Sequence, residues 1–177
     1  VSETLRNLRA EIRRLKRTVS EFVEAGGEIV VRRKAVDIAC ELREIVAIAR
    51  PQIELLGIAV EMDIEAGRDI MIDHNRLHQA MLNIILNACQ SMKPGGRLSI
   101  RGREVSGSYV IAVSDTGMGM TGQEQKEIYD FPFSAKAEGM GCGLRYVLRI
   151  MRAHGGELDI ESFPGRGTTV RLIFPKK

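Results

Sequence analysis

Residues 73–92, DHNRLHQAMLNIILNACQSM, are the stretch around which we expect the fold to be organised. Apolar side chains recur in it at steps of three and four residues, which predicts an amphipathic helix with one buried face. Asp73 can cap the start of this helix, and Pro94-Gly95-Gly96, just after its last residue, prevents it from continuing. The buried face is expected to hold Leu77, Met81, Ile84, Ile85, Ala88 and Met92.

Four side-chain amides follow another side of this predicted helix, at Gln79, Asn83, Asn87 and Gln90. Asparagine is a mediocre helix former, so two of them one turn apart beside the core lower the stability of the helix. An amide can present its carbonyl oxygen to a hard cation and its NH2 group to a phosphate oxygen. Considered alone, this stripe of amides is equally well explained as a solvent-exposed helix face that happens to contain two Asn. The motifs further along the sequence favour a binding site instead.

The composition argues against several classes of protein. At 177 residues, with 44% hydrophobic and 28% charged residues, the chain can bury one core and does not have a disordered composition. A net charge of +3, 5% aromatic residues and no Trp give little support for nucleic-acid binding. Cys40, Cys89 and Cys142 share no ligand spacing, so we interpret them as small apolar residues in a reducing compartment. We expect neither a membrane-spanning segment nor a signal peptide.

The N-terminal segment, residues 2–24, is predicted to form a separate helix. Its apolar residues follow the a/d seam of a heptad repeat, and its other faces are rich in Arg. We interpret it as a helix that packs against a partner helix, and the alternative is a helix packed on its own domain. Gly26-Gly27 breaks it and sets the boundary between residues 1–26 and a domain of residues 27–177. The seam consists of Leu5, Leu8, Ile12, Leu15, Val19 and Phe22.

The rest of the chain alternates between strand and helix patterns. Asp37 and Gly57 delimit a second amphipathic helix, and Pro51 inside it predicts a kink or a helix in two pieces. Together, these strand and helix patterns predict a two-layer α/β (α+β) sandwich, in which a mixed, mainly antiparallel sheet is covered by helices on one face. Strands are expected at residues 29–36, 58–64, 69–72, 97–104, 108–114, 157–162 and 168–174, and helices at 37–56, 73–92, 121–129 and 144–153.

Two glycine-rich segments are candidates for binding. In DTGMG, residues 115–119, a carboxylate at a strand end can accept a hydrogen bond from an exocyclic amine, and the glycines let backbone approach a flat ring. GMGCG, residues 139–143, leads into a helix, whose free N–H groups suit phosphates, and Lys136 can reach a terminal phosphate. Considered separately, the first is also explained as an Asx-capped turn and the second as a surface loop.

The order of these motifs resembles the N, G1, F and G2 boxes of the ATP-binding superfamily of gyrases, chaperones, histidine kinases and mismatch-repair proteins. The resemblance covers residues 37–175. RLHQ at 76–79, FPFSAK at 131–136 and AHGG at 153–156 are most similar to sensor histidine kinases. The heptad helix followed by Gly-Gly is similar to the second helix of their dimerisation hairpin. Residues 27–177 would then be the catalytic domain, with a Bergerat-type ATP-binding fold.

The resemblance implies a role for each matching residue. Asp115 would bind the adenine amine, while Asn83 and Asn87 would hold Mg²⁺ and the phosphate tail of ATP. The implied reaction is transfer of the γ-phosphoryl group of ATP to a histidine, and from there to an aspartate on a response regulator. Gly117 and Gly119 would shape the base pocket, and Lys136 with the backbone at Gly139, Gly141, Gly143 and Leu144 would close over the phosphates.

Asn83 helps to choose among the members of this superfamily. Hydrolysing members carry a Glu at this position as the general base for water. Asn83 cannot take a proton, which favours a kinase that holds ATP for another acceptor. The alternatives are an ATP-hydrolysing clamp or serine kinase of the same fold, and a nucleotide-binding scaffold without transfer activity.

No phosphoacceptor histidine is recognisable in the sequence. His74, His78 and His154 lie in the nucleotide domain, and we interpret all three as structural. We therefore interpret the chain as a fragment whose acceptor lies on a preceding helix. The expected partners are the dimerisation and phosphoacceptor helices of the same protein, as a homodimer, and a response regulator receiver domain. No nucleic-acid or membrane contact is expected of this fragment, and its expected location is the cytoplasm, whether or not the parent is membrane-anchored.

Overall fold

The computed structural model describes residues 29–130 and 142–175. The predicted helix of residues 2–24, the Gly26-Gly27 boundary, Lys136, Gly139 and Gly141 lie outside these ranges. The elements, in chain order, are β1 (Lys34–Asp37), α1 (Ile38–Leu55), β2 (Ala59–Ile64), β3 (Asp69–Ile72), α2 (His74–Ser91), β4 (Arg97–Val105), β5 (Ser108–Asp115), α3 (Gly122–Asp130), α4 (Cys142–Ala153), β6 (Glu157–Ser162) and β7 (Thr168–Pro175).

Five of these strands form one mixed sheet in the order β2-β4-β5-β7-β6. β2 runs parallel to β4, and the other three neighbouring pairs are antiparallel. β1 and β3 form a separate antiparallel pair. The predicted architecture of a mainly antiparallel mixed sheet covered by helices is therefore confirmed.

The core lies between the helices and one face of the sheet. Alternate residues of the central strands are buried, as expected for a sheet with one covered face. The apolar stripe of α2 packs into the same core, and every residue predicted on its buried face is buried. These residues are Leu77, Met81, Ile84, Ile85, Ala88 and, just beyond the helix, Met92.

Both long helices begin at the predicted aspartates. Asp73 Oδ1 accepts a hydrogen bond from the N–H of Arg76 at 3.1 Å. Asp37 Oδ1 accepts hydrogen bonds from the N–H groups of Ala39 and Cys40 at 2.9 and 3.1 Å. Such a cap contributes about 1 kcal/mol to helix stability. The starts of α1 and α2 are therefore fixed by local sequence.

Three expectations from the sequence are wrong. The strand expected at residues 29–36 is confined to Lys34–Asp37, because pairing with β3 covers only those four residues. α1 continues through Pro51 as a single helix, held to the core by Ala49 and Ile53 on either side, so the alternative of a helix in two pieces is wrong, whereas the kink stays a prediction. Cys40 is exposed, so the interpretation of the cysteines as small apolar core residues holds for Cys89 but not for Cys40.

His154 connects the C-terminal end of α4 to the start of α2. The residue is 3% exposed, its Nε2 accepts the N–H of Asp73 at 3.0 Å, and its Nδ1–H donates to the Ile150 carbonyl at 2.8 Å. Asp73 Oδ2 in turn accepts the N–H of Arg32 at 2.7 Å. The two ring contacts require a neutral imidazole with its proton on Nδ1, which agrees with the structural role expected of this histidine.

We expect His154 to make the folded domain less stable as the pH falls below about 6.5, the ordinary pKa of histidine. Burial lowers the pKa of His154, outweighing the hydrogen bond to Ile150 that acts to raise it. Between the lowered pKa and 6.5 the unfolded chain binds more protons than the folded chain, so stability rises with pH. Urea unfolding between about pH 8 and pH 5 should show a shallower pH dependence in His154→Gln than in the wild type. Equal slopes for the two proteins would contradict this account.

Candidate nucleotide-binding site

Asp115 is the last residue of β5, and its carboxylate is held in place from two sides. Oδ1 accepts a hydrogen bond from the N–H of Gly117 at 2.7 Å and another from the hydroxyl of Ser91 at 3.3 Å. Burial raises the pKa of the Asp115 carboxyl above its ordinary value, while the hydrogen bonds from Gly117, Thr168 and Ser91 oppose the rise. A desolvated carboxylate with a fixed orientation can bind a hydrogen-bond donor of a ligand strongly.

The backbone after β5 packs too closely for side chains at Gly117 and Gly119. A Cβ atom on Gly117 would overlap the Ser91 hydroxyl and lie 2.7 Å from Asp115 Oδ1. Gly119 has φ +69°, and a Cβ atom there would overlap the Phe163 carbonyl oxygen. These glycines therefore allow the loop to pass between the end of α2 and the turn that joins β6 to β7.

Ser91 is a site residue that the sequence analysis missed. It is the last residue of α2, and its one hydroxyl proton is shared between the Ala88 carbonyl at 2.9 Å and the Asp115 carboxylate at 3.3 Å. The signal was present in the sequence, because Asn83, Asn87 and Ser91 follow one another at steps of four and so share one side of a helix. Gln90, which the polar stripe included instead, is exposed.

Asn83 and Asn87 are half-buried on α2 and lie against the first turn of α4. A Cβ atom on Gly143 would be 3.1 Å from Asn87 Nδ2 and 3.8 Å from Asn83 Cβ. The fold thus brings the two asparagines and the last glycine of the GMGCG motif together at a helix N-terminus, where free N–H groups favour an anion. The Leu144 side chain is buried in the hydrophobic core, which leaves only its backbone for a ligand.

Tyr146 holds α4 against α2. Its hydroxyl donates to Gln79 Oε1 at 2.8 Å and accepts a hydrogen bond from Arg76 Nη1 at 2.9 Å. Arg76 Nη1 also donates to Gln79 Oε1 at 2.9 Å, which closes a triangle of three side chains. Since Tyr146 lies three residues after Gly143, these contacts fix the first turn of α4 close to Asn87.

We expect Tyr146→Phe to destabilise the domain by about 1–2 kcal/mol, because it removes a buried hydroxyl that makes two hydrogen bonds between α2 and α4. Urea unfolding monitored by circular dichroism measures this loss. Tyr129→Phe is the matched control, since Tyr129 is 36% exposed against 7% for Tyr146, and its hydroxyl lies at the longer distance of 3.3 Å from its acceptor, the Leu158 carbonyl. An equal or smaller loss for Tyr146→Phe than for Tyr129→Phe would contradict the role given to the triangle.

Comparison with known proteins identifies the family. The sequence profile of the family described as histidine kinase-, DNA gyrase B-, and HSP90-like ATPase matches residues 72–177, and the chain belongs to this family. Sporulation kinase C of Bacillus subtilis (strain 168) is 31% identical to this chain over 170 residues, which are 95% of this chain and 40% of that protein. The chain therefore spans less than half the length of that relative.

Two solved structures are also similar. The structure of full-length ShkA in complex with AMPPNP has a TM-score of 0.75 and 26% identity, and the match covers 89% of this chain and 34% of that one. The histidine kinase ThkA, solved in complex with the response regulator protein TrrA, has a TM-score of 0.75 and 20% identity, over 95% of this chain and 49% of that one. At that identity the likeness to ThkA bears on the fold alone.

The resemblance to sensor histidine kinase catalytic domains is confirmed by these findings. The expected enzyme class, a sensor histidine kinase, is also the class named for similar proteins such as the sensor histidine kinase ZraS of Klebsiella oxytoca, which is 31% identical over 93% of this chain and 36% of that protein. Across residues 29–130 and 142–175, no helix is both long enough and apolar enough to cross a membrane.

Proposed function

We propose that this domain binds Mg-ATP and donates the γ-phosphoryl group to a histidine on a dimerisation helix, for relay to an aspartate of a response regulator. One observation carries the proposal: consecutive turns of α2 contact the two places expected to bind the nucleotide. Ser91 bonds to the Asp115 carboxylate, and Asn87, one turn earlier, lies against Gly143 at the start of α4. A single rigid helix would therefore align the base site with the phosphate site.

The base would bind at Asp115. Its carboxylate would accept a hydrogen bond from the exocyclic amine of adenine, and Gly117 and Gly119 would let the loop backbone lie close to the ring. The raised pKa of Asp115 reflects an unfavourable desolvation of its charge. A donor supplied by the base would compensate for that desolvation, so this contact would contribute strongly to affinity.

The phosphates would bind where Asn83 and Asn87 meet the N-terminus of α4. The amide oxygens of these residues are hard ligands that fit Mg²⁺, which prefers oxygen and retains several waters. Their NH2 groups would donate to phosphate oxygens. Lys136 and the backbone at Gly139, Gly141, Gly143 and Leu144 would close over the triphosphate. When bound, Mg²⁺ would neutralise charge on the transferring phosphate group.

The reaction we propose is transfer to protein and not to water. The bond between the γ-phosphorus and the bridging oxygen breaks, a bond to a histidine nitrogen forms, and ADP leaves. Asn83 occupies the position at which hydrolysing relatives carry a Glu, and an amide cannot take a proton from water. Positioning and charge neutralisation therefore remain as the contributions of this domain.

The acceptor histidine is proposed to lie outside this chain. Both ring nitrogens of His154 are hydrogen-bonded within the core, and His74 and His78 are bonded to Glu41. We propose that residues 1–26 are the end of the dimerisation hairpin of a homodimeric kinase and that residues 27–177 are its catalytic domain. Its partner would be a receiver domain, and its location would be the cytoplasm, where ATP and response regulators are available.

Calorimetric titration of the domain with ATP, with and without Mg²⁺, tests the binding half of this proposal. We expect one site per chain, tighter binding with Mg²⁺, and no steady release of phosphate over the course of the titration. A folded domain that does not bind ATP would contradict the proposed site. Continuous phosphate release would contradict the role given to Asn83.

A further inference from the structure

A second cluster of reactive side chains lies at the other end of α2. His74 and His78 are one turn apart on the first two turns of this helix, so their rings project from the same face. Glu41, on the first turn of α1, points its carboxylate at both rings. Asn83 is the nearer of the two asparagines proposed to bind the phosphates, and it follows His78 by five residues, about 7.5 Å along the helix axis and about 140° around it. The cluster is therefore separate from the nucleotide site.

The three side chains already converge on one point. Glu41 Oε2 is 2.7 Å from His74 Nδ1 and 2.8 Å from His78 Nε2, and the three potential ligand atoms all lie within 4.8 Å of one another. Ligands of a tetrahedral zinc ion are about 3.3 Å apart, given metal–ligand bonds of about 2.0–2.1 Å. Each contact to Glu41 would have to lengthen by only about 0.5 Å to admit the ion. The His74 and His78 nitrogens, which lie within 4.8 Å of each other, would have to reach the same separation of about 3.3 Å.

We propose that Glu41, His74 and His78 form a binding site for Zn²⁺. The set of two imidazoles and one carboxylate matches zinc sites with three protein ligands, in which water takes the fourth position. The His74 side chain is 47% exposed, whereas His78 and Glu41 are 17% and 15% exposed, so the site is open on the His74 side for that water. The bound ion would link the first turns of α1 and α2.

The ligand chemistry distinguishes this site from the proposed magnesium site. Imidazole nitrogen suits Zn²⁺, Co²⁺, Ni²⁺ and Cu²⁺, whereas Mg²⁺ selects oxygen ligands. Asn83 and Asn87 offer only amide groups, and the cluster at Glu41 offers two nitrogens among three ligands. The two sites should therefore respond to different ions, and the zinc site does not depend on the proposed function being correct.

Titration of the metal-free domain with zinc chloride tests the proposal, in buffer without ATP. We expect one Zn²⁺ per chain for the wild type, and at least tenfold weaker binding for the double variant His74→Gln, His78→Gln. Glutamine can still hydrogen-bond to Glu41 but is a poor zinc ligand, so the variant should keep its fold, which circular dichroism checks. Zn²⁺ should also raise the melting temperature of the wild type and not that of the double variant.

Two controls exclude other ligands. Cys40 is exposed and adjacent to Glu41, so Cys40→Ser must bind Zn²⁺ as the wild type does. The Co²⁺ complex must also lack the sulfur-to-metal charge-transfer absorption that a thiolate ligand produces. The proposal is wrong if the double variant binds Zn²⁺ as tightly as the wild type, if Cys40→Ser loses binding, or if equimolar Mg²⁺ displaces the zinc.

Discussion

Replacing Asp115 by Asn is expected to weaken ATP binding by about 100-fold, or about 2.7 kcal/mol. The carboxylate is an acceptor only, and its orientation is fixed by Gly117 and Ser91. The amide introduced by Asp115→Asn would lack the negative charge and would place an NH2 donor among groups that are themselves donors. A lost charge-assisted hydrogen bond, together with an unsatisfied donor, accounts for a loss of this size. Calorimetric titration with Mg-ATP measures it.

Asp63→Asn is the matched control for this experiment. Asp63 is an exposed aspartate on the edge strand β2, paired with Arg103 on the surface, so the same chemical change should leave ATP affinity unaltered. Equal affinities for the wild type and Asp115→Asn would show that Asp115 does not contact the base.

Replacing Asn87 by Asp is expected to weaken Mg-ATP binding by roughly 10- to 100-fold, or about 1.4–2.7 kcal/mol. The change removes an NH2 donor beside Gly143 and adds a negative charge next to the proposed triphosphate site. It should also alter how binding depends on Mg²⁺, because a carboxylate is a different magnesium ligand from an amide. Titrations with ATP at a series of Mg²⁺ concentrations separate these two effects.

Asn75→Asp provides the control for the added charge. Asn75 is exposed in the first turn of the same helix, far along the axis from Asn87, so its variant should bind Mg-ATP as the wild type does. The roles given to the asparagines would fail if ATP binding were indifferent to Mg²⁺ in both the wild type and Asn87→Asp.

The sequence was sufficient for the parts of the fold that depend on local pattern. The buried stripe of α2 and its Asp73 cap depend on neighbouring residues, and the structure bears them out. The pairing of β3 with β1 did not follow from the sequence. A four-residue strand carries too little pattern to specify a partner more than 30 residues away.

The candidate site likewise contains residues that the local sequence identifies and contacts that depend on residues distant in the sequence. Asp115 and Gly117 could be identified because the motif itself combines a carboxylate with a close backbone approach. Ser91 could have been found from its spacing to Asn87, whereas the bond between Tyr146 and Gln79 spans 67 residues and has no local signature. The convergence of Glu41 with His74 is likewise a product of how α1 packs on α2.

The fate of the γ-phosphate shows whether this domain transfers phosphate to a histidine. Mg-ATP labelled at the γ position would be mixed with the full-length protein to which the chain is proposed to belong, and the label followed. We predict label on the protein that is lost in acid and kept in alkali, the behaviour of phosphohistidine. Label released only as free phosphate, or held on the protein in an acid-stable form, would contradict the account.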